Sequence, residues 1–488
     1  MCNIKNQLRK IFSNSKINSL AEKIELLKAG DVFFAINGVN TDGNNYIDKA
    51  LQLGASIIFT DNIHNQDIKK NILYVENIRL VYAIAAGMFY PGYPKYLVAV
   101  TGTDGKTSVT SYVRQILQLL NVNSCAINTL GVEHNLNIQN LKFSNYPLLS
   151  PVKLRQSLNI LYKNNINYLS LEASSHAIHQ KRFGELKMTT AAFTSFSQDH
   201  LDYHNSMEDY LATKLNFLTN NLMDGGKLVL NSDISRIEQI KSFLDNKKIR
   251  YNTVGTKGDI SITNIESNLS EQSVTFTYNG RSYNTKINII GRFQAYNILI
   301  AAKLVNNLGF DFHNILSTFN MLLPVTGRLQ NITSNINNNK KFNIFVDYAH
   351  TPAALQAVLL DLKKYLVNKG KLKVLFGCGG DRDKSKRCVM GKIASQIADL
   401  VIVTNDNPRF EDCKTIREEI IDGINNKSIV KEFDNRRNAI IDTVKNLNNN
   451  DILLIAGKGH EKYQIIGNNK IDFDEISIVK EVLSKYCL

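Results

Sequence analysis

The 488-residue chain has no apolar run approaching the roughly 18–20 residues that cross a bilayer. No membrane-spanning helix is therefore expected. Its start, Met1 to Ser19, is polar and bears lysines without an apolar core segment, so it does not read as a secretory signal. A cytoplasmic protein is expected. The six cysteines, Cys2, Cys125, Cys378, Cys388, Cys413 and Cys487, are scattered with no C-x-x-C pair. This argues against a disulfide framework and against a zinc site, and leaves reduced structural thiols. There is no internal repeat. The asparagine runs, such as Asn335-Ile336-Asn337-Asn338-Asn339, are too short to be more than surface loops.

The charge is lopsided, at +14. Three readings fit such a balance: nucleic-acid binding, a polyanionic small substrate, or drift in a chain rich in Asn, Lys and Ile. No block of like charge is interleaved with aromatics, which weighs against a nucleic-acid-dependent ATPase. The hydrophobic share of 43% is ordinary for a globular protein, and the length suggests about three domains. Short strands alternating with helical stretches predict an α/β fold throughout. The expected divisions are 1–95, 96–326 and 327–488.

The most informative stretch is Thr101-Gly102-Thr103-Asp104-Gly105-Lys106-Thr107-Ser108. It follows the apolar run Tyr96–Val100, which reads as a buried strand, and precedes helical periodicity from Val109 to Leu120. Strand, glycine turn and helix form the arrangement that cradles phosphate with backbone N–H groups. Lys106 is placed to reach the β- and γ-phosphates of ATP, and Thr107 to hold Mg²⁺. The general pattern wants a glycine where Val100 stands, so the loop is a shortened one.

Polar loops follow most other predicted strands, where open α/β sheets carry their sites. Glu172 ends a strand and enters Ala173-Ser174-Ser175-His176; it reads as a Mg²⁺ ligand or as a solvated loop acid. Asp199-His200-Leu201-Asp202-Tyr203-His204 packs two acids and two histidines into six residues, suggesting metal or phosphate work. Lys214 lies on a predicted helix, where a lone lysine is ordinarily a solvated charge. Four further loops are Asp347–Pro352, Gly377–Asp383, Asp406-Asn407-Pro408-Arg409 and Gly457-Lys458-Gly459-His460-Glu461. Arg382 and Arg409 suit bidentate carboxylate or phosphate recognition, and Glu461 suits an ammonium. Together these loops predict a pocket for a zwitterion such as an amino acid.

These motifs, with Gly291-Arg292-Phe293, Asn297 and Gly327-Arg328, closely resemble those of the Mur ligases, and the aspartate-asparagine-proline-arginine run resembles that of the branch using diaminopimelate. The resemblance extends from about Gly30 to Asp474. It implies a small N-terminal α/β domain binding the UDP-sugar, a central P-loop-type ATP-binding domain on a mostly parallel sheet, and a C-terminal Rossmann-like domain binding the amino acid. It implies an ATP-dependent ligase of cytoplasmic peptidoglycan-precursor synthesis, monomeric, binding neither nucleic acid nor membrane. The expected reaction joins meso-diaminopimelate to the D-glutamate γ-carboxylate of UDP-N-acetylmuramoyl-L-alanyl-D-glutamate through an acyl phosphate. A ligase with a different amino acid or nucleotide-sugar is the alternative within the family.

By the same resemblance, Lys106, Glu172, His200 and Lys214 are catalytic. Thr107, Glu172, His200 and Lys214 form the metal set, and Lys214 is carbamylated by CO₂. Gly102, Thr103, Asp104, Gly105, Lys106, Thr107 and Ser108 hold ATP, with Asn297, Arg328, Asp347, Tyr348 and His350. Ser19, Ser174 and Arg182 touch the UDP-sugar dipeptide. Arg382, Asp406, Asn407, Pro408, Arg409, Gly457 and Glu461 take diaminopimelate. The chain departs from the family pattern at Asp104, where asparagine is usual, and at Gln198, Gln330 and Cys388. It also departs at Lys23-Ile24-Glu25 and at Asn145–Ser150, two segments that meet the UDP-sugar in the family.

Overall fold

The computed structural model describes residues 2–14, 17–38, 41–134, 149–333 and 341–486. Asn145–Leu148, Asn335–Asn339 and Cys487 therefore lie outside the described residues. The architecture is mixed α/β with three principal sheets and one two-stranded hairpin.

The first sheet is wholly parallel, in the order Leu20–Ala21, Val32–Ala35, Ile57–Thr60, Ile72–Tyr74. The helix Ile78–Phe89 packs on it through Val81, Tyr82 and Ala85, and Leu8 of the N-terminal helix Cys2–Asn14 joins the same core. Asn77 caps the former helix by accepting from the Leu80 N–H at 3.0 Å.

The second sheet has ten strands. Its parallel centre places Tyr96–Thr101 between Met188–Phe193 and Tyr168–Glu172. Burial on both faces explains why the strand after Lys95 reads as a continuous apolar run rather than an alternation. Val98 and Val100 face a core with Val109, Val113 and Ile298 from the helices Lys106–Leu119 and Arg292–Asn307. Leu97 and Ala99 face the opposite core, with Leu154, Leu158, Leu211 and Leu215. At the far edge, Ile260–Ser267, Gln272–Tyr278 and Arg281–Ile287 are antiparallel. The turn between the last two is Asn279-Gly280, both left-handed at φ +49° and +72°, as the dipeptide predicts.

The third sheet runs Gln330–Asn331, Asn343–Asp347, Ile452–Ala456, Leu372–Phe376, Leu400–Val403, Val430–Glu432. All pairings are parallel except that of the short first strand. Helices cover both faces: Leu355, Leu359 and Met390 on one, Ile440, Val479 and Val482 on the other. The hairpin Tyr463–Ile466 with Asn469–Asp472 stands outside this sheet and was not foreseen from the sequence.

Parallel strands deliver their C-terminal loops to one edge. In the central sheet, Val100 is level with Glu172 and Thr101 with Phe193, so three loops leave side by side. In the third sheet, Asp347 pairs with Ala456, Leu375 with Ile455 and Phe376 with Val403. The four polar loops of that sheet therefore share an edge. The two units meet there: Gln198 donates to Asp383 Oδ2 at 3.3 Å, and Arg328 to the Thr107 hydroxyl at 3.1 Å.

Candidate active site

Between the central and third sheets lies a cleft of about 630 Å³, lined by Thr103–Ser108 on one side and Asp347–His350 on the other. Two glycines make the loop possible. Gly102 sits at φ +148°, and a Cβ there would lie 2.1 Å from Thr194 Oγ1; Gly105 sits at φ +85°, with Asn297 Oδ1 2.7 Å from any Cβ. Only glycine fits these positions. The helix Lys106–Leu119 starts directly after the turn, directing its unpaired N–H groups and dipole at the cleft. Lys106 Nζ folds back onto the carbonyls of Gly102 and Thr103, at 3.2 and 2.7 Å.

Glu172 is buried and accepts from the Thr107 hydroxyl at 2.9 Å and from both the N–H and the hydroxyl of Thr129 at 3.0 Å. Thr129 has no signal in the sequence. A carboxylate beside a threonine hydroxyl is a hard oxygen set, which suits Mg²⁺ completed by phosphate oxygens. Among the described residues no cluster of three or more His, Cys, Asp or Glu side chains is close enough to hold a metal. The chemistry of the donor set thus fits a metal shared with substrate phosphates.

Lys214 is the largest departure from ordinary expectation for its type. It lies on the helix Met207–Asn220, fully buried, and donates to the Gly102 carbonyl at 2.8 Å, with the Tyr210 ring centroid 4.4 Å away. Burial, reinforced by the positive charge of Lys106, holds its pKa well below that of a free lysine. The amine is pushed toward its neutral form.

His200 occupies a left-handed backbone position, φ +56°, with Nε2 3.3 Å from Asp199 Oδ2 and its ring stacked edge-on against His176 at 4.6 Å. Burial pushes the His200 pKa down and that of His176 to about 4, so both imidazoles are neutral near pH 7. His350 Nε2 and Lys386 Nζ each lie 4.0 Å from the same aspartate. Asp199 thus joins the two units electrostatically. Burial raises the pKa of Asp104, opposed by His350 and Lys106, and raises that of Asp347 to about 6.

Outside the lining of this cleft, and reaching it through Tyr348 and Arg328, stand the zwitterion loops. Arg382 and Arg409 both flank Gly379: a Cβ on it would lie 2.9 Å from Arg409 NH1 and 3.8 Å from Arg382 Cγ. Burial and then the neighbouring Arg382 lower the Arg409 pKa, opposed by Asp406 and Glu461. Arg409 is held at φ +53° because its N–H donates to Ile465 O at 3.0 Å and its carbonyl accepts from Gly467 N at 2.7 Å. The unforeseen hairpin is therefore what aims it. Asn407 donates to Glu461 Oε2 at 2.9 Å, and Asp406 and Pro408 are buried beside it. Tyr348 OH lies 3.5 Å from Glu461 Oε1, and Arg328 sits over the Tyr348 ring at 4.4 Å. Through Arg328 and Tyr348 the phosphate end and the zwitterion end are in contact.

Sequence reasoning also missed Arg387. It is fully buried and binds Glu411 at 3.0 Å, Glu419 at 2.7 Å and the Gly379 carbonyl at 3.1 Å. Its hydrogen bonds, above all, hold the Glu411 pKa down to about 2. A carboxyl depressed in the folded state stabilises it above its unfolded pKa, near 4.5, and that stability is lost as pH falls toward 2. Glu411→Gln is expected to flatten the fall in urea midpoint between about pH 4.5 and 3. An unchanged pH profile would show that the pair contributes nothing.

A second cleft, of about 420 Å³, opens between the first sheet and the central unit. It is lined by Lys23, Arg79 and Arg182, with Glu22 and Glu25. Ser19 is not among its lining residues; its carbonyl accepts from Val32 N at 3.0 Å, whereas the turn after it, Glu22–Glu25, faces the cleft. A smaller cavity lined by Thr129, Glu172, Ser174 and Arg182 lies between the two clefts and shares residues with each. The three cavities are thus neighbours in series, from the N-terminal cleft to the phosphate loop.

A glycine phosphate loop facing a second α/β unit that presents paired arginines and a carboxylate defines an ATP-dependent enzyme that activates one substrate and captures another. The chain belongs to the Mur ligase family. Residues 25–102 match its catalytic domain, 100–305 the Mur ligase middle domain, and 327–459 the glutamate ligase domain. The UDP-N-acetylmuramoyl-L-alanyl-D-glutamate–2,6-diaminopimelate ligase of Rickettsia conorii is 45% identical over 482 residues, covering 98% of each chain. The protein of that name from Zymomonas mobilis is 37% identical over 462 residues, covering 93% of this chain and 92% of its own. A solved structure of a ligase of the same name superposes with a TM-score of 0.66 at 26% identity, covering 96% of this chain and 95% of that one. The MurF ligase of Thermotoga maritima, solved with ADP, shares the fold, with a TM-score of 0.62 at 19% identity over 96% and 97%. The enzyme is thus a ligase, and the nucleic-acid reading of its charge is not favoured.

Proposed function

We propose that this protein is the ATP-dependent ligase that adds meso-diaminopimelate to the D-glutamate γ-carboxylate of UDP-N-acetylmuramoyl-L-alanyl-D-glutamate. The observation that carries this reading is the pair Arg382 and Arg409 on the loops that also carry Asn407 and Glu461, linked to the phosphate cleft through Tyr348 and Arg328. Two guanidiniums match a carboxylate and the glutamate matches an ammonium, so the pocket reads the distal amino-acid end of diaminopimelate. The 45% identity to the Rickettsia ligase over 98% of the chain supports the same substrate.

On this reading 1–95 binds the UDP-sugar, 96–326 binds ATP and 327–488 binds the amino acid. Lys23, Arg79 and Arg182 line the N-terminal cleft and take the diphosphate, and the dipeptide runs past Ser174 toward Glu172. The adenine lies against Phe293, Tyr296 and Ala353. A γ-carboxylate oxygen of D-glutamate attacks the γ-phosphorus of ATP, and ADP leaves. Lys106 and the loop N–H groups neutralise charge on the transferring phosphoryl. The amine of diaminopimelate then attacks the acyl-phosphate carbonyl carbon, an amide forms, and phosphate departs. Thr107 and Glu172, with His200, would hold Mg²⁺, which when bound would supply charge neutralisation at the phosphates. The neutral Lys214 amine adds to CO₂ and loses a proton, leaving an anionic carbamate beside the loop. The reaction belongs in the cytoplasm, where ATP and nucleotide-activated sugars are made.

The test is phosphate release with ATP, Mg²⁺ and the UDP-dipeptide, comparing meso-diaminopimelate with L-lysine. Release dependent on both the precursor and diaminopimelate is expected. Release with L-lysine instead, or none with the standard precursor, would move the assignment to another acceptor. Lys23 and Glu25 facing the N-terminal cleft, where the family pattern differs, are the observation that keeps that second reading in view.

A further inference from the structure

Lys458 has no exposed surface, yet it is absent from the set of residues that the sequence assigns to any ligand. It follows the strand Ile452–Ala456 and is flanked by Gly457 at φ +110° and Gly459 at φ +55°. A Cβ on Gly457 would lie 2.7 Å from Asp406 Oδ2, and one on Gly459 would lie 2.9 Å from Tyr348 Cβ. The two glycines pack the turn down onto its neighbours, and Lys458 is carried under the zwitterion loops. Its ammonium donates to Asn407 Oδ1 at 2.9 Å and to Glu461 Oε2 at 3.2 Å, and lies 3.9 Å from Asp406 Oδ1. Removing a charge from water is costly unless its partners repay it. Each of these polar partners belongs to the proposed amino-acid pocket.

The contacts determine two orientations. Asn407 Oδ1 accepts from Lys458 and from the Ile465 N–H at 3.0 Å, so the amide cannot flip and Nδ2 is turned to Glu461 Oε2 at 2.9 Å. Glu461 Oε2 thus has two donors, Lys458 and Asn407. Among the described residues Oε1 has only the long Tyr348 contact of 3.5 Å, and it remains to accept an ammonium.

We propose that Lys458 is a positioning residue for the distal ammonium of the amino-acid substrate, acting by locking Asn407 and Glu461 in the one arrangement that leaves Glu461 Oε1 open. This rests on the functional reading above. It goes beyond that reading by giving a role to a side chain that does not touch the substrate.

The experiment is a double-mutant cycle of Lys458→Met and Glu461→Gln in the full-length enzyme, with Lys458→Gln as a milder variant that keeps a donor without the charge. Phosphate release is measured while diaminopimelate, ATP and UDP-dipeptide are varied in turn. Lys458→Met is expected to raise the KM for diaminopimelate by about 10–100-fold, with the KM for ATP and for UDP-dipeptide within about threefold of wild type. In the Glu461→Gln background the same change is expected to add less than about threefold, because the route runs through Glu461. If Lys458→Met does not fold, Lys458→Gln carries the same comparison. An unchanged diaminopimelate KM, equal losses for all three substrates, or full additivity with Glu461→Gln would overturn the role. Wild type run alongside separates the two claims: no diaminopimelate-dependent release by wild type refutes the functional reading instead.

Discussion

Lys214→Ala is expected to lower kcat by about 100-fold or more, the scale on which a lost charge-stabilising group at a phosphoryl-transfer site is felt. The reasoning starts from burial. A lysine among Tyr210, Thr101 and the Gly102 carbonyl has little solvent to support its charge, and Lys106 nearby opposes it further. A neutral amine is the form that reacts with CO₂, and the proposed carbamate would place a negative charge next to the phosphate loop. Truncation leaves a small vacated anion site. Acetate or formate in the assay is therefore expected to restore part of the lost rate to Lys214→Ala and none to wild type. A fully active alanine variant would remove the role. An inactive variant with no rescue would leave Lys214 as a structural lysine, its contact with Gly102 shaping the loop.

Arg409→Ala is expected to raise the KM for diaminopimelate by about 100-fold, the upper range for one charge-assisted hydrogen-bonding group. The KM for ATP is expected to stay within about threefold, because the phosphate loop receives nothing from this side chain. Arg409 already donates to the Gly380 carbonyl at 2.6 Å and to the Asn407 carbonyl at 3.4 Å, which hold the guanidinium in place before substrate arrives. Equal losses for diaminopimelate and ATP, measured by initial rates with each varied at saturating levels of the other, would contradict the assignment. Arg409→Lys is a useful companion: it keeps the charge but loses the planar fork, and most of the effect should remain.

The strands and loops of the central and third sheets were legible because both signals are local. Leu97–Val100 is apolar at every position since both faces of the strand are covered, and Gly102 and Gly105 are required by contacts a Cβ could not make. Asn279-Gly280 announces its hairpin by backbone preference alone. The N-terminal helix Cys2–Asn14 was missed although Ile4, Leu8, Ile11 and Phe12 recur at helical spacing and pack on the core of the first sheet. The hairpin Tyr463–Asp472 was missed because its strands are largely exposed and lack a strict alternation.

The sequence by itself determined the α/β class, the phosphate loop and the residue types at the ends of the third-sheet strands. These follow from periodicity, glycine placement and side-chain chemistry, which need no neighbour distant in the chain. Tertiary structure alone decided the state of the side chains. Lys214 looks solvated on a helix and is buried under the loop; Lys458 looks like a turn lysine and lies beneath Asn407 and Glu461. Glu22–Glu25, rather than Ser19, turns toward the N-terminal cleft. Desolvation, charge pairing and amide orientation depend on which distant segments surround a residue, and that is settled only when the sheets are assembled.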